Sequence, residues 1–127
     1  IFYLIKNTFE TLNNLAREIS IIYYYFFWNL LSVLGYQPEV QKCADCQDKL
    51  NPYNIYFSDK EGGIICKKCL QKDNNAKKIN SDVAKILRLF LKKDWQTISK
   101  LKVEQFSQGL LKAISNNYSQ FIMPKEN

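Results

Sequence analysis

The chain has 127 residues, 46% apolar and 14% aromatic, which is enough for one compact domain with a real core, too few for two comfortably, and unlike a disordered chain. Its net charge of +6 is unevenly placed: residues 1–66 carry five basic and seven acidic groups, whereas residues 67–93 carry nine basic groups against Asp73 and Asp82. That asymmetry points to an anionic partner, nucleic acid or an acidic peptide, and competes with the plainer reading of a solvated lysine-rich surface.

The text opens on Ile1, inside an apolar run, so a piece of a longer protein, its C-terminal part, is expected. Phe2, Ile5, Phe9, Leu12 and Ala16 recur at spacings of 3 and 4 and predict a first helix. Ile19, Ile22, Tyr23, Phe26, Leu30, Val33 and Leu34 predict a second, with Phe27, Trp28 and Leu31 widening its apolar surface until it reads as central to the core. Within the aromatic run, Tyr23 and Phe26 fall in the predicted buried stripe and Tyr24 and Tyr25 are the members expected outside; base stacking is the functional alternative. Ile19–Leu34 is 16 residues long and contains Ser20, Asn29 and Ser32. A bilayer span needs about 20 apolar residues, so a buried helix and no membrane partner are expected. Gly35 suits a left-handed helix stop, and Pro38 prevents continuation.

Residues 39–72 hold the cysteines and no helical period. Tyr53, Ile55 and Phe57 alternate, Asp59 to Gly63 turns, and Ile64 and Ile65 lead to Cys66, a short β-hairpin. Gln71 to Asn80 reads as a loop. Asn80 or Ser81 caps the next helix, with Asp82 in its first turn and Val83, Ile86, Leu87, Phe90 and Leu91 on its apolar face. Asp94 caps a short helix through Trp95 and Ile98. A last helix carries Val103, Phe106, Leu110, Ala113, Ile114, Asn117 and Phe121, followed by a frayed tail from Pro124. The expected fold is mainly α: one helical-bundle domain over residues 1–127, with 1–38 and 79–122 as helical core and 39–72 as a small four-cysteine, zinc-ribbon-like β-hairpin insertion.

Cys43-x-x-Cys46 and Cys66-x-x-Cys69 are separated by 19 residues, a spacing read as a four-cysteine Zn²⁺ site. A two-residue spacer lets one tight turn present two sulfurs to one ion, and two such turns complete a tetrahedron. With no histidine and no fifth cysteine in the chain, all four thiolates are used and one closed, structural zinc is expected. Disulfides would need an oxidising compartment that nothing here signals. A redox dithiol would need only one pair, and paired turns around a hairpin favour zinc over an iron–sulfur cluster. A chelator is expected to melt 39–72 and leave the helical core partly helical.

No catalytic constellation is evident: histidine is absent, Gly62-Gly63 is a bare pair rather than a phosphate-cradling loop, and the acidic residues are scattered. Neither an enzyme nor a small-molecule substrate is expected of this piece. Lys85, Arg88 and Lys92 lie on one solvent-facing stripe, flanked by Lys93. Lys67, Lys68 and Lys72 leave the second cysteine pair, and Lys77 and Lys78 follow. If the insertion folds back on that helix, these nine cations form one patch of the kind that contacts phosphates; lysine filling a polar helix face is the bland alternative.

Phe26, Phe27, Leu30, Leu31, Leu34-Gly35-Tyr36 and Pro38, then Cys43-x-x-Cys46, Phe57-Ser58, Gly62-Gly63 and Cys66-x-x-Cys69, resemble in order and spacing the C-terminal part of the RecO family of bacterial recombination mediators. The resemblance implies a helical domain with an inserted zinc module, preceded by an OB-fold absent here. It also implies a cytoplasmic, nucleoid-associated DNA-repair role. The implied partners are single- and double-stranded DNA, RecR, and the acidic C-terminal tail of single-strand-binding protein. One departure is that Tyr24 and Tyr25 precede Phe26, and Phe27 follows it, where family members often carry basic residues and a Glu. The Lys85–Arg88–Lys92 stripe is therefore another candidate for holding the acidic tail. The alternatives are a general zinc-ribbon nucleic-acid module of transcription or translation machinery, and a zinc-clamped protein–protein scaffold.

Overall fold

The computed structural model describes residues 2–123; the side chains of Phe2 and Phe9 in the first predicted stripe, and the tail from Pro124, lie outside the described residues. The elements are α1 (Phe2–Val33), β1 (Ile55–Ser58), β2 (Gly63–Cys66), a 3-10 turn (Lys67–Lys72), β3 (Lys77–Ile79), α2 (Ser81–Lys92), α3 (Trp95–Lys100) and α4 (Gln105–Ile122). The structure is mainly helical with one small antiparallel sheet, as the sequence pattern implied.

The first two predicted helices are one. No glycine or proline interrupts residues 2–33, so nothing local breaks the 32-residue α1. It ends at Gly35, whose φ is +95°. The Tyr36 N–H donates to the Leu31 carbonyl at 2.8 Å and the Gly35 N–H to Ser32 at 3.2 Å, the paired bonds of a Schellman stop. The buried face of α1 also differs from the predicted one. Tyr24, Trp28 and Leu31 are buried and Tyr25 half-buried, whereas Ile19, Tyr23, Phe26, Leu30 and Val33 are exposed, Phe26 by 65% and Val33 by 79%. Ile5, Leu12 and Ala16 are exposed too. A helix apolar nearly all round carries no periodic signal that selects a face. Here the partner selects it: the Trp28 indole N–H donates to Ser115 Oγ at 3.0 Å, and Ser115 Oγ donates to the Leu111 carbonyl at 2.7 Å.

The sheet order is β2-β1-β3. β1 and β2 form the expected hairpin, with Tyr56 opposite Ile65 and Phe57 opposite Ile64. The expected 71–80 loop instead includes β3, which pairs Ile79 with Ile55 and Lys78 with Tyr56. Three residues are too few to show alternation; buried Ile79 anchors the strand against the core. Gly62 takes φ +74° in the turn. Gly63 has a different constraint, because its strand is bridged to Glu39 and a Cβ there would lie 2.3 Å from the Glu39 carbonyl oxygen. Gly63→Ala is expected to lower stability by about 1–3 kcal/mol through that collision. A urea midpoint matching wild type would exclude the steric account.

Trp28, Phe57 and Tyr118 join α1, β1 and α4. Trp28 stacks on Tyr118 with centroids 5.4 Å apart, and Phe57 meets both edge-on at 5.6 and 5.5 Å. The Tyr118 hydroxyl donates to the Tyr36 carbonyl at 3.2 Å. Ser58, fully buried, donates to Asp73 at 2.6 Å and accepts from the Glu61 N–H at 3.0 Å. One hydrophobic cluster therefore includes Ile55, Phe57, Ile64 and Ile65 of the hairpin together with Val83, Leu87, Phe90 and Ile114 of the helices.

α2 buries Val83, Ile86, Leu87 and Phe90, and Asn80 caps it by accepting from the Val83 N–H at 2.9 Å. Asp94 caps α3 through Thr97, as its position predicted. In α4 the buried residues are Ser107, Leu111, Ile114, Ser115 and Tyr118, while Phe106, Asn117 and Phe121 of the predicted stripe are exposed. Inward serines and a tyrosine are polar letters in a hydropathy pattern, and they moved the apparent face. No helix among the described residues is long and apolar enough to cross a membrane.

Candidate metal centre

The first cysteine pair sits on a turn held by backbone bonds. The Cys43 N–H donates to the Asp48 carbonyl at 2.9 Å, and the Gln47 N–H to the Cys43 carbonyl at 3.0 Å. Gln47 closes the turn with φ +66°. The Ala44 N–H donates to the Ile64 carbonyl at 2.8 Å, which fastens this turn to β2. The second pair spans the end of β2 and the 3-10 turn. Sheet pairing thus brings together two turns that are remote in sequence.

The four Sγ atoms lie within 4.8 Å of one another. Cys46 and Cys66 sulfurs are 3.8 Å apart, and those of Cys66 and Cys69 3.7 Å. A tetrahedral ion with metal–sulfur bonds of about 2.3 Å has sulfur–sulfur edges of about 3.8 Å, so these residues fit a four-thiolate metal ion. A disulfide would require about 2.05 Å. Cys43 and Cys69 are buried, and Cys46 and Cys66 half-buried. Burial pushes the Cys43 thiol up, but backbone N–H groups of Cys46, Cys66 and Asp45 outweigh it and hold it down at about 6. One of these donors, the Cys66 N–H, is 3.4 Å from the Cys43 sulfur. Donors aimed at sulfur favour the thiolate that a metal requires. The Asp45 carboxylate beside Cys69, followed by burial, pushes that thiol well above its usual range.

The nine predicted cations do not share one role. Among the described residues there are two ion pairs: Lys68 with Asp48 at 2.8 Å and Lys72 with Asp45 at 3.1 Å. Both tie the second cysteine turn to the first, and neither lysine's charge is left uncompensated. Arg88 is not on the solvent-facing stripe. It is half-buried, and its Nε–H donates to the Val40 carbonyl at 2.8 Å, joining α2 to the approach of the first cysteine turn. Lys67, Lys77, Lys78, Lys85, Lys92 and Lys93 are exposed. A periodic pattern shows which side of a helix is polar; it does not show that an arginine there reaches a carbonyl 48 residues away.

The family described as "Recombination protein O C terminal" matches residues 1–122. Among curated proteins, the chain is 32% identical over 118 residues to a DNA repair protein RecO of Halalkalibacterium halodurans, covering 91% of this chain and 46% of that protein. It is 32% identical over 126 residues to one of Dehalococcoides mccartyi, covering 99% and 49%. A third, from Caldanaerobacter subterraneus, is 33% identical over 103 residues, 81% of this chain and 41% of that protein. The chain therefore spans about half the length of the curated relatives it matches. No solved structure matches it.

Proposed function

Because the chain belongs to the RecO family of DNA repair proteins, matched by its C-terminal domain, we propose that it is the helical, zinc-bearing part of a non-enzymatic recombination mediator. In this reading residues 1–127 form one domain, and the run of one hydrophobic cluster through hairpin and helices supports it. Cys43, Cys46, Cys66 and Cys69 hold one Zn²⁺ with no open position, so the ion is structural. Its chemistry is to fix the two turns; the polypeptide does the rest.

The domain offers a surface for single- and double-stranded DNA, for RecR and for the acidic tail of single-strand-binding protein, in the bacterial cytoplasm at the nucleoid. The observation that carries the reading is the four-thiol cluster with Lys67, Lys77 and Lys78 on the segments leaving it. Arg88 supports the approach of the insertion to α2, where Lys85 and Lys92 project. Lys68 and Lys72 serve the turns in this account, and binding of phosphates falls to the six exposed lysines outside those ion pairs.

Lys85→Glu with Lys92→Glu is expected to weaken binding to labelled duplex DNA in fluorescence anisotropy while leaving the melting curve unchanged. The slope of log affinity against log salt should fall by about 1 for each lysine–phosphate interaction that the substitutions remove. Wild-type affinity and slope in the double variant would refute the surface. Arg88 is left intact in this test, since its replacement would also free the Val40 carbonyl.

A further inference from the structure

A crevice of about 490 Å³ lies between α1 and the α3–α4 segment, away from the metal centre. That volume is in the range of ligand pockets, about 300–1,000 Å³. One wall is Trp95, 40% exposed and backed by Tyr25 with ring centroids 5.2 Å apart. Ile22 and Val103 supply apolar floor, and Arg17 and Lys102 stand at the crevice against a single acid, Glu18.

The surroundings are cationic as well. Residues 92–102 contain Lys92, Lys93, Lys100 and Lys102 with Asp94 as the only acid. The Asp94 carboxylate is engaged, accepting from the Thr97 N–H at 3.2 Å and its hydroxyl at 2.8 Å. Gln108, also lining the crevice, donates through Nε2 to the Arg17 carbonyl at 3.2 Å, while its buried Oε1 has no partner. The bond from Gln108 ties α4 to α1 at the crevice, and an indole face with Arg17 and Lys102 beside it suits a base together with its phosphates.

We propose that this crevice seats an unpaired nucleobase of single-stranded DNA on the Trp95 ring, with Arg17 and Lys102 taking its flanking phosphates. An indole face beside cations is the arrangement by which proteins hold single strands with little sequence preference. The aromatic stack positions the base, and the cations make binding salt-dependent. This rests on the DNA-binding reading above, and it moves single-strand binding from the α2 lysines to the α1–α3 side.

The test uses the full chain and a short oligothymidylate. Trp28 is fully buried, so quenching of tryptophan emission on titration reports on Trp95. Saturable quenching is expected, with Trp95→Ala weakening the anisotropy-measured affinity about tenfold or more and Trp95→Phe retaining most of it. Circular dichroism melts establish that both variants are folded. If wild type binds the oligonucleotide and Trp95→Ala binds it equally well, the crevice assignment alone fails. If wild type binds no DNA, the DNA-binding reading fails with it. If a short acidic peptide quenches Trp95 and the oligonucleotide does not, the crevice is a peptide site and the proposal is overturned.

Discussion

Chelation of the zinc proposed at the four-cysteine cluster, or Cys43→Ser, is expected to collapse more of the protein than the cysteine-bearing segment. Structural zinc contributes apparent binding free energies of about 10–16 kcal/mol, against a total stability of about 5–15 kcal/mol for a typical domain. Cys43 is fully buried and its sulfur accepts from the Cys66 N–H, so its replacement opens both turns. The damage then spreads through β2: Ile64 and Ile65 are fully buried in the cluster that contains Trp28 and Leu87. A chelator should therefore shift Trp28 emission to longer wavelength and reduce helical circular dichroism together. The sequence pattern alone predicts that 39–72 melts and the helical core stays partly helical; the shared core couples the two parts more tightly. Zinc release, verified by a colorimetric assay, with both spectra unchanged would sink this account.

Phe57→Ala is expected to cost about 3–5 kcal/mol, the range for deleting a fully buried phenylalanine. Its ring is 2% exposed and stands edge-on to both Trp28 and Tyr118. The cavity would open where β1, α1 and α4 meet, between the buried rings of Trp28 and Tyr118. Phe26→Ala is the control. That ring is 65% exposed, and surface substitutions of this kind usually change stability by no more than about 0.5 kcal/mol. Urea denaturation of both variants decides the matter: similar midpoints would mean that the aromatic trio does not hold the hairpin to the helices.

The contrast between Phe26 and Phe57 also shows where sequence reading reaches its limit. Both are phenylalanines in apolar stretches. Phe57 is legible because strand alternation assigns it a side shared with Ile55. Phe26 is not, because its helix is apolar nearly all round and any stripe through it scores alike. The same applies to α4, where Ser107 and Ser115 are buried but carry no hydrophobic signal. The Phe57-Ser58 pair acquires a reason only in three dimensions: one ring enters the trio, and the neighbouring hydroxyl bonds Asp73 and the Glu61 N–H.

What the sequence determined by itself were features set by local chemistry. The two C-x-x-C turns, the left-handed stop at Gly35, the caps at Asn80 and Asp94 and the buried face of α2 depend on residues within a few positions of one another. Their periods and spacings are printed in the chain. What only the tertiary structure decided were choices among equals. Trp28 took the inward position on α1 because Ser115 on another helix accepts its indole N–H. β3 formed because β1 offered an open edge. The nine cations divided because Asp45, Asp48 and the Val40 carbonyl lie within reach of three of them. A lysine's charge is written in the sequence, but whether that charge is free for a phosphate depends on what stands a few ångströms from it after folding.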